Sequence, residues 1–333
     1  VLAYTLTMRI AVLGAIVHDE IIWIDGGRRE SFGGILYTVA ALSSILDDGD
    51  YVAPVSRVGA DRYDAVIEQF ARFPHIDVGG LTRCDEPMTN VTLRYATAAT
   101  RSEAMLNRMP PFDLPSLEYA FGCDAVHVNP ITGTEIEADT LEAFRRRFDG
   151  LVSFDVHNKI SKFDYTASGK REIVGFKQWR AWAPHVDVFQ CNEHEINTMF
   201  DHDVSTRADF AVAAKAVCGA GPRVATITLG PEGAVMVYRR DSDYYTVDIG
   251  VLPPVEAKDT TGCGDSFSAG FVKGMLDHDD PATALACASV VAGVNARYSG
   301  LGELAEAKPL LAVPRAHFNV YTGKSNDWPG KTI

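Results

Sequence analysis

The densest chemical signal in the chain is the run Lys258-Asp259-Thr260-Thr261-Gly262-Cys263-Gly264-Asp265-Ser266-Phe267-Ser268-Ala269-Gly270. Small residues open directly into a helix predicted from the apolar positions Phe267, Gly270, Phe271, Gly274 and Met275. The N–H groups of Gly262, Cys263 and Gly264 then have no intrahelical partner and face outward at the positive end of the helix dipole. That is an anion site made from backbone alone. Asp265 conflicts with it, because a carboxylate beside an anion site repels the anion. Two readings resolve the conflict. Asp265 caps the helix, or it is a general base that takes the proton of a hydroxyl attacking a phosphoryl group held by the amides.

Competing nucleotide motifs fail. Gly323-Lys324-Ser325 resembles the end of a P-loop, but Phe318 stands at the place of its first glycine. The first strand is followed by Gly14 alone, not by a G-x-G-x-x-G turn, which counts against a dinucleotide-binding oxidoreductase. His194-Glu195 begins a zinc-type pair, but Thr198 occupies the position of the second histidine.

With these residues in place, the sequence resembles the ribokinase-like, or PfkB, family of carbohydrate and nucleoside kinases, from about Arg9 to Leu310. Asp259-Thr260-Thr261-Gly262-Cys263-Gly264-Asp265 is similar to its C-terminal signature, with Cys263 in place of the commoner Ala or Gly. The resemblance implies that Asp265 is the catalytic base and Gly262, Cys263 and Gly264 the anion hole. Asn192-Glu193-His194-Glu195 matches the N-x-x-E element, which implies that Asn192 approaches ATP phosphates and Glu195 organises Mg²⁺ through water. Thr228-Leu229-Gly230-Pro231-Glu232-Gly233 resembles the turn along the ATP site, implying Thr228, Gly230 and Gly233 there, with Thr261 beside them. Gly33-Gly34 resembles the di-glycine that receives the sugar, and Asp19 the hydroxyl-binding aspartate of the lid. Ribose-specific relatives carry Lys and Asn where this chain has Ile35 and Thr38, so the acceptor site is less hydrophilic or differently shaped; Thr38 and Asn129 are its further candidates. Relatives often bind K⁺ at the start of the signature, which points to Asp259. The implied activity is ATP-dependent phosphorylation of a hydroxyl on a small sugar, with a nucleoside kinase or a non-catalytic nucleotide or sugar sensor as alternatives.

These residues need elements to hold them. Strands are predicted over Arg9–Gly14, Tyr51–Val55, Ala125–Val128, Leu151–Asp155, Val186–Phe189 and Val224–Thr228, alternating with amphipathic helices such as those carrying Leu36, Val39 and Ala40, and Leu141, Phe144 and Phe148. The alternation implies an α/β fold: a mostly parallel central sheet with helices on both faces. Asp19, Asn192 and Gly230 fall just beyond strand ends, where ligands of such sheets gather. Two segments break the rhythm. Ile21–Ile24, Asp25-Gly26-Gly27 and Arg28–Phe32 read as a hairpin, and Asn90–Ala96 alternates apolar and polar residues. They are expected to form a small β-lid from segments of about 19–32 and 88–103, which could also pair two copies in a homodimer. The domain is placed at 8–313, and the polar tail 314–333 is expected to wrap the surface.

Composition sets outer bounds. The chain has 333 residues, 47% of them hydrophobic, enough to bury a core without metal or disulfide staples. Its 44 acidic and 31 basic residues give a net charge of −13, which argues against nucleic acid and anionic membranes as partners. The six cysteines are scattered, with no C-x-x-C pair, and no apolar run is long enough to span a bilayer; a cytoplasmic protein is expected.

Overall fold

A computed structural model describes residues 7–97, 101–253, 255–301, 303–312 and 320–324. Strand β1 (Arg9–Gly14) is followed by β2 (Ile16–Ile22), β3 (Arg28–Gly34) and helix α1 (Leu36–Ile45). Then come β4 (Tyr51–Gly59), α2 (Tyr63–Phe70), β5 (Leu81–Cys84), β6 (Asn90–Tyr95) and β7 (Arg101–Leu106). The middle of the chain holds β8 (Ala125–Asn129), α3 (Ala138–Arg145), β9 (Leu151–Asp155), β10 (Ser161–Phe163) and β11 (Arg171–Ile173). After these follow β12 (Val188–Asn192), α4 (Glu193–Met199), α5 (Arg207–Gly219), β13 (Val224–Thr228), β14 (Ala234–Arg240) and β15 (Asp243–Ile249). Helices α6 (Cys263–His278), α7 (Pro281–Ala296) and α8 (Ala307–Leu311) and strand β16 (Val320–Lys324) complete it.

The main sheet runs β16-β15-β14-β13-β12-β9-β8-β1-β4-β5. From β13 to β5 every pairing is parallel, and β14, β15 and β16 extend the sheet antiparallel. Side chains alternate across β1 and so divide the core. Ile10 and Val12 pack with residues of α1, α6 and α7, whereas Ala11 and Leu13 pack with residues of α3 and α5. Helices therefore cover both faces, as the alternating sequence pattern implies. Among the described residues no helix is long and apolar enough to cross a membrane.

A separate sheet of order β3-β2-β6-β7 lies beside this body. The hairpin expected from Ile21 to Phe32 is longer than its sequence signal, because pairing continues inward to Ile16 opposite Gly34. β6 adds to β2 in parallel, which local sequence does not announce. Asp19, expected just beyond the first strand at the start of the lid, lies within β2, opposite Ser31 and Val91. Residues 98–100 of the second lid segment lie outside the described residues.

The tail also differs from expectation. Val320–Lys324 pairs antiparallel with β15 and extends the main sheet by one strand. The rest of 314–333 lies outside the described residues.

Candidate active site

The parallel strands deliver their last residues to one rim: Asn129 from β8, Asp155 from β9, Asn192 from β12 and Thr228 from β13. Register keeps them level, with Asn192 opposite Thr228 and Gln190 opposite Asp155. The start of α6 is brought to the same rim. Between rim and lid lies a cleft of about 480 Å³ whose walls include Asp19, Gly34, Tyr37, Asp155, Asn192, Glu195, Thr228, Thr261, Gly262, Gly264 and Asp265.

Asp265 opens on this cleft from the first turn of α6. Its Oδ1 accepts hydrogen bonds from Thr38 Oγ1 at 3.0 Å and Asn129 Nδ2 at 2.7 Å. Thr38 and Asn129, expected to touch substrate, are buried behind the carboxylate instead and fix its orientation. Oδ2 has no side-chain partner among the described residues. Burial pushes the carboxyl up to about 6, against the two hydrogen bonds that favour its ionised form. A base of this kind is mostly ionised near pH 7 and still able to hold a proton briefly.

Gly262 caps α6 in the left-handed region, at φ 76°, with no side-chain cap. One of the three amides expected in the anion hole is engaged within the loop. The Cys263 N–H donates to Thr260 O at 3.2 Å, because Thr260–Cys263 closes a turn, and the Cys263 thiol faces Ala292 O and Asn295 on α7. Gly262 and Gly264 line the cleft. A Cβ built on Gly264 would meet nothing within 4 Å, so open space adjoins this backbone.

Asn192 and Glu195 form a capping box on α4: Asn192 Oδ1 accepts from Glu195 N at 2.8 Å, and Glu195 Oε2 from Asn192 N at 2.9 Å. The plain capping role of these residues is real, and both still line the cleft, with the Asn192 amide group left to donate. Burial raises Glu195 to about 7. Asp155 is raised well above the usual carboxylate range, by burial first and then by Glu195 and Asp265. Two buried carboxylates that resist ionising suit a divalent cation, whose charge would relieve both.

Other expectations are met only in part. Asp19 lines the cleft, and a Cβ on Gly33 would come within 2.2 Å of its Oδ2, so glycine is what lets the carboxylate lie against β3. Gly230 and Gly233 shape the turn after β13 and are not in the cleft wall. Asp259 Oδ1 accepts from Thr261 N at 2.9 Å and stands outside the wall. Among the described residues no group of three His, Cys, Asp or Glu could by itself hold a metal ion.

The cleft also holds Asp155, Gln190, His157, Glu103 and Arg171, which motif reading missed. Asp155 was within reach of the strand-end rule, as the last residue of a predicted strand. Glu103 and Arg171 come from the lid and the β10–β11 ribbon, and no local pattern marks them.

Comparison with known proteins identifies the family and the fold. The family model for pfkB family carbohydrate kinases matches residues 38–308. An inositol 3-kinase of Oryza sativa subsp. japonica is 27% identical over 284 residues, 80% of this chain and 62% of the relative, so the chain spans less than two thirds of that protein. A cytidine kinase of Thermococcus kodakarensis is 24% identical, over 80% of this chain and 87% of its own. Among solved structures, a ribokinase of Arabidopsis thaliana complexed with ribose and ATP superposes with a TM-score of 0.73 at 15% identity, covering 92% of this chain and all of that one. A pyrophosphate-dependent kinase in the ribokinase family gives 0.71 at 19% identity, over 91% of this chain and 100% of its own. The fold is ribokinase-like, and the chain belongs to the pfkB family of carbohydrate kinases.

Proposed function

We propose that the protein transfers the γ-phosphoryl group of ATP to a hydroxyl of a small polyhydroxylated acceptor, a sugar or cyclitol. The observation that carries this reading is Asp265, pinned by Oδ1 and open at Oδ2, on the first turn of a glycine-capped helix at the cleft wall. The acceptor oxygen attacks the γ-phosphorus and its proton passes to Asp265; a new O–P bond forms, the bond to the bridging oxygen breaks, and ADP leaves. Backbone at Gly262 and Gly264 stabilises charge on the γ-phosphoryl oxygens, and Asn192 and Thr228 face the phosphate chain. Glu195 and Asp155 would hold Mg²⁺, which supplies charge neutralisation along the triphosphate. Asp19 provides a carboxylate for acceptor hydroxyls, while Val91, Leu93, Met105 and Ile131 offer an apolar wall and exclude water. The names of the inositol, ribose and cytidine relatives support this acceptor class.

Tyr37 in the same wall gives a nucleoside base a ring to stack on, so cytidine belongs in the acceptor panel. ADP release from MgATP, measured against ribose, myo-inositol and cytidine, tests the reading. Asp265→Asn is expected to lower kcat by roughly 10²–10⁴-fold. Unchanged turnover in that variant would overturn the role of Asp265, and no turnover by the wild type with any acceptor would favour a sensor.

A further inference from the structure

The cleft wall is strongly acidic. Asp19, Glu103, Asp155, Glu195 and Asp265 line it, and among the described residues Arg171 is the one Lys or Arg in its wall. Lys159 is turned away, its ammonium on Gly133 O at 2.9 Å and over the Trp182 ring.

Arg171 reaches the cleft from β11. Its Nε donates to Ser161 Oγ at 2.8 Å on β10, and an Nη lies 3.5 Å from the Glu103 carboxylate on β7. The ribbon that carries it is fastened to the lid by Met105 N to Gly169 O at 2.8 Å and a bridge between Ala104 and Lys170. A guanidinium has five donors, and these contacts leave others unused. The Glu103 contact is long for an ion pair, so a phosphate oxygen can displace it. Arg171 shares the cleft wall with Asn192, Glu195 and Thr228, which the proposed function sets along the phosphate chain and its metal.

We propose that Arg171 contacts the phosphate chain of the bound donor and stabilises charge on it during transfer. The proposal rests on the kinase reading for its catalytic part, while its binding part can be tested alone. Inorganic tripolyphosphate is the binding probe, titrated calorimetrically into wild type, Arg171→Ala, Arg171→Lys and Glu103→Gln. Arg171→Ala is expected to weaken binding by about tenfold or more, the worth of one charge-assisted hydrogen bond. Arg171→Lys should recover part of that loss, and Glu103→Gln should match or tighten the wild-type affinity. In turnover, Arg171→Ala should lower kcat by about a hundredfold, with acceptor KM changed less than about threefold.

Wild-type tripolyphosphate affinity in Arg171→Ala would overturn the proposal. So would a Glu103→Gln variant that reproduces the arginine defect, since Arg171 would then serve only to tie ribbon to lid. A loss confined to acceptor KM would assign Arg171 to the acceptor and overturn it equally. Failure of the wild type to phosphorylate any acceptor would sink the kinase reading and leave the tripolyphosphate result standing.

Discussion

At the scale of single residues, Asp265 shows how neighbours set a base. Burial alone drives its carboxyl upward, and the hydrogen bonds from Thr38 and Asn129 oppose that, leaving it at about 6. Because both bonds favour the ionised form, removing one raises the pKa further. Thr38→Val is therefore expected to move the ascending limb of the kcat/KM profile to higher pH by about one pH unit. The profile should be recorded at saturating Mg²⁺, which keeps Glu195 ionised and its own titration, near 7, out of the window. A limb that stays in place would show that the Thr38 bond does not act on the base. The Thr38 and Asn129 side chains meet Asp265 from positions 227 and 136 residues away. Spacing along the chain therefore could not show that they serve the aspartate.

At the scale of elements, the site depends on how α6 starts. Gly262 holds φ at 76°, and a Cβ there would come within 2.4 Å of the Tyr37 ring on α1. Gly262→Ala is expected to cost about 1–3 kcal/mol by denaturant titration and to lower kcat, since relaxation must move either the loop backbone or Tyr37. Wild-type stability and turnover would show that the loop tolerates both strains. This loop was the most legible part of the chain, because a left-handed glycine, a missing cap and an apolar helix are all local features. The parallel strands were legible for the same reason, and their ends pointed to Asp19, Asn192 and Gly230, of which Asp19 and Asn192 line the cleft. Asp155 obeyed the same rule and was passed over because no motif surrounds it. The parallel pairing of β6 on β2 and the meeting of Glu103 with Arg171 depend on long-range packing, which no periodicity records. β14 was missed because it is buried on both faces and reads as a continuous apolar run.

At the scale of the molecule, the net charge of −13 is not spread only over solvent. Asp155, Glu195 and Asp265 are gathered in one cleft, all three raised above ordinary carboxylate values. The folded state then binds more protons than the unfolded chain in mildly acidic solution. Stability from these groups is fully present below their unfolded pKa values and is lost as pH rises through the folded ones, near 6 and 7 for Asp265 and Glu195. In EDTA, the melting temperature is expected to rise as pH falls from 8 toward 5. Asp155→Asn removes one buried charge and keeps an oxygen for Gln190 Nε2, which donates to Asp155 at 3.0 Å. The variant should therefore melt about 2–4 °C higher than wild type at pH 8 and converge with it near pH 5. Mg²⁺ should raise the wild-type melting temperature at pH 8 and raise that of Asp155→Asn less, because one of the two carboxylates that would hold the ion is gone. Equal destabilisation of Asp155→Asn at both pH values would mean that Asp155 contributes packing alone and that the cleft stores no electrostatic strain there.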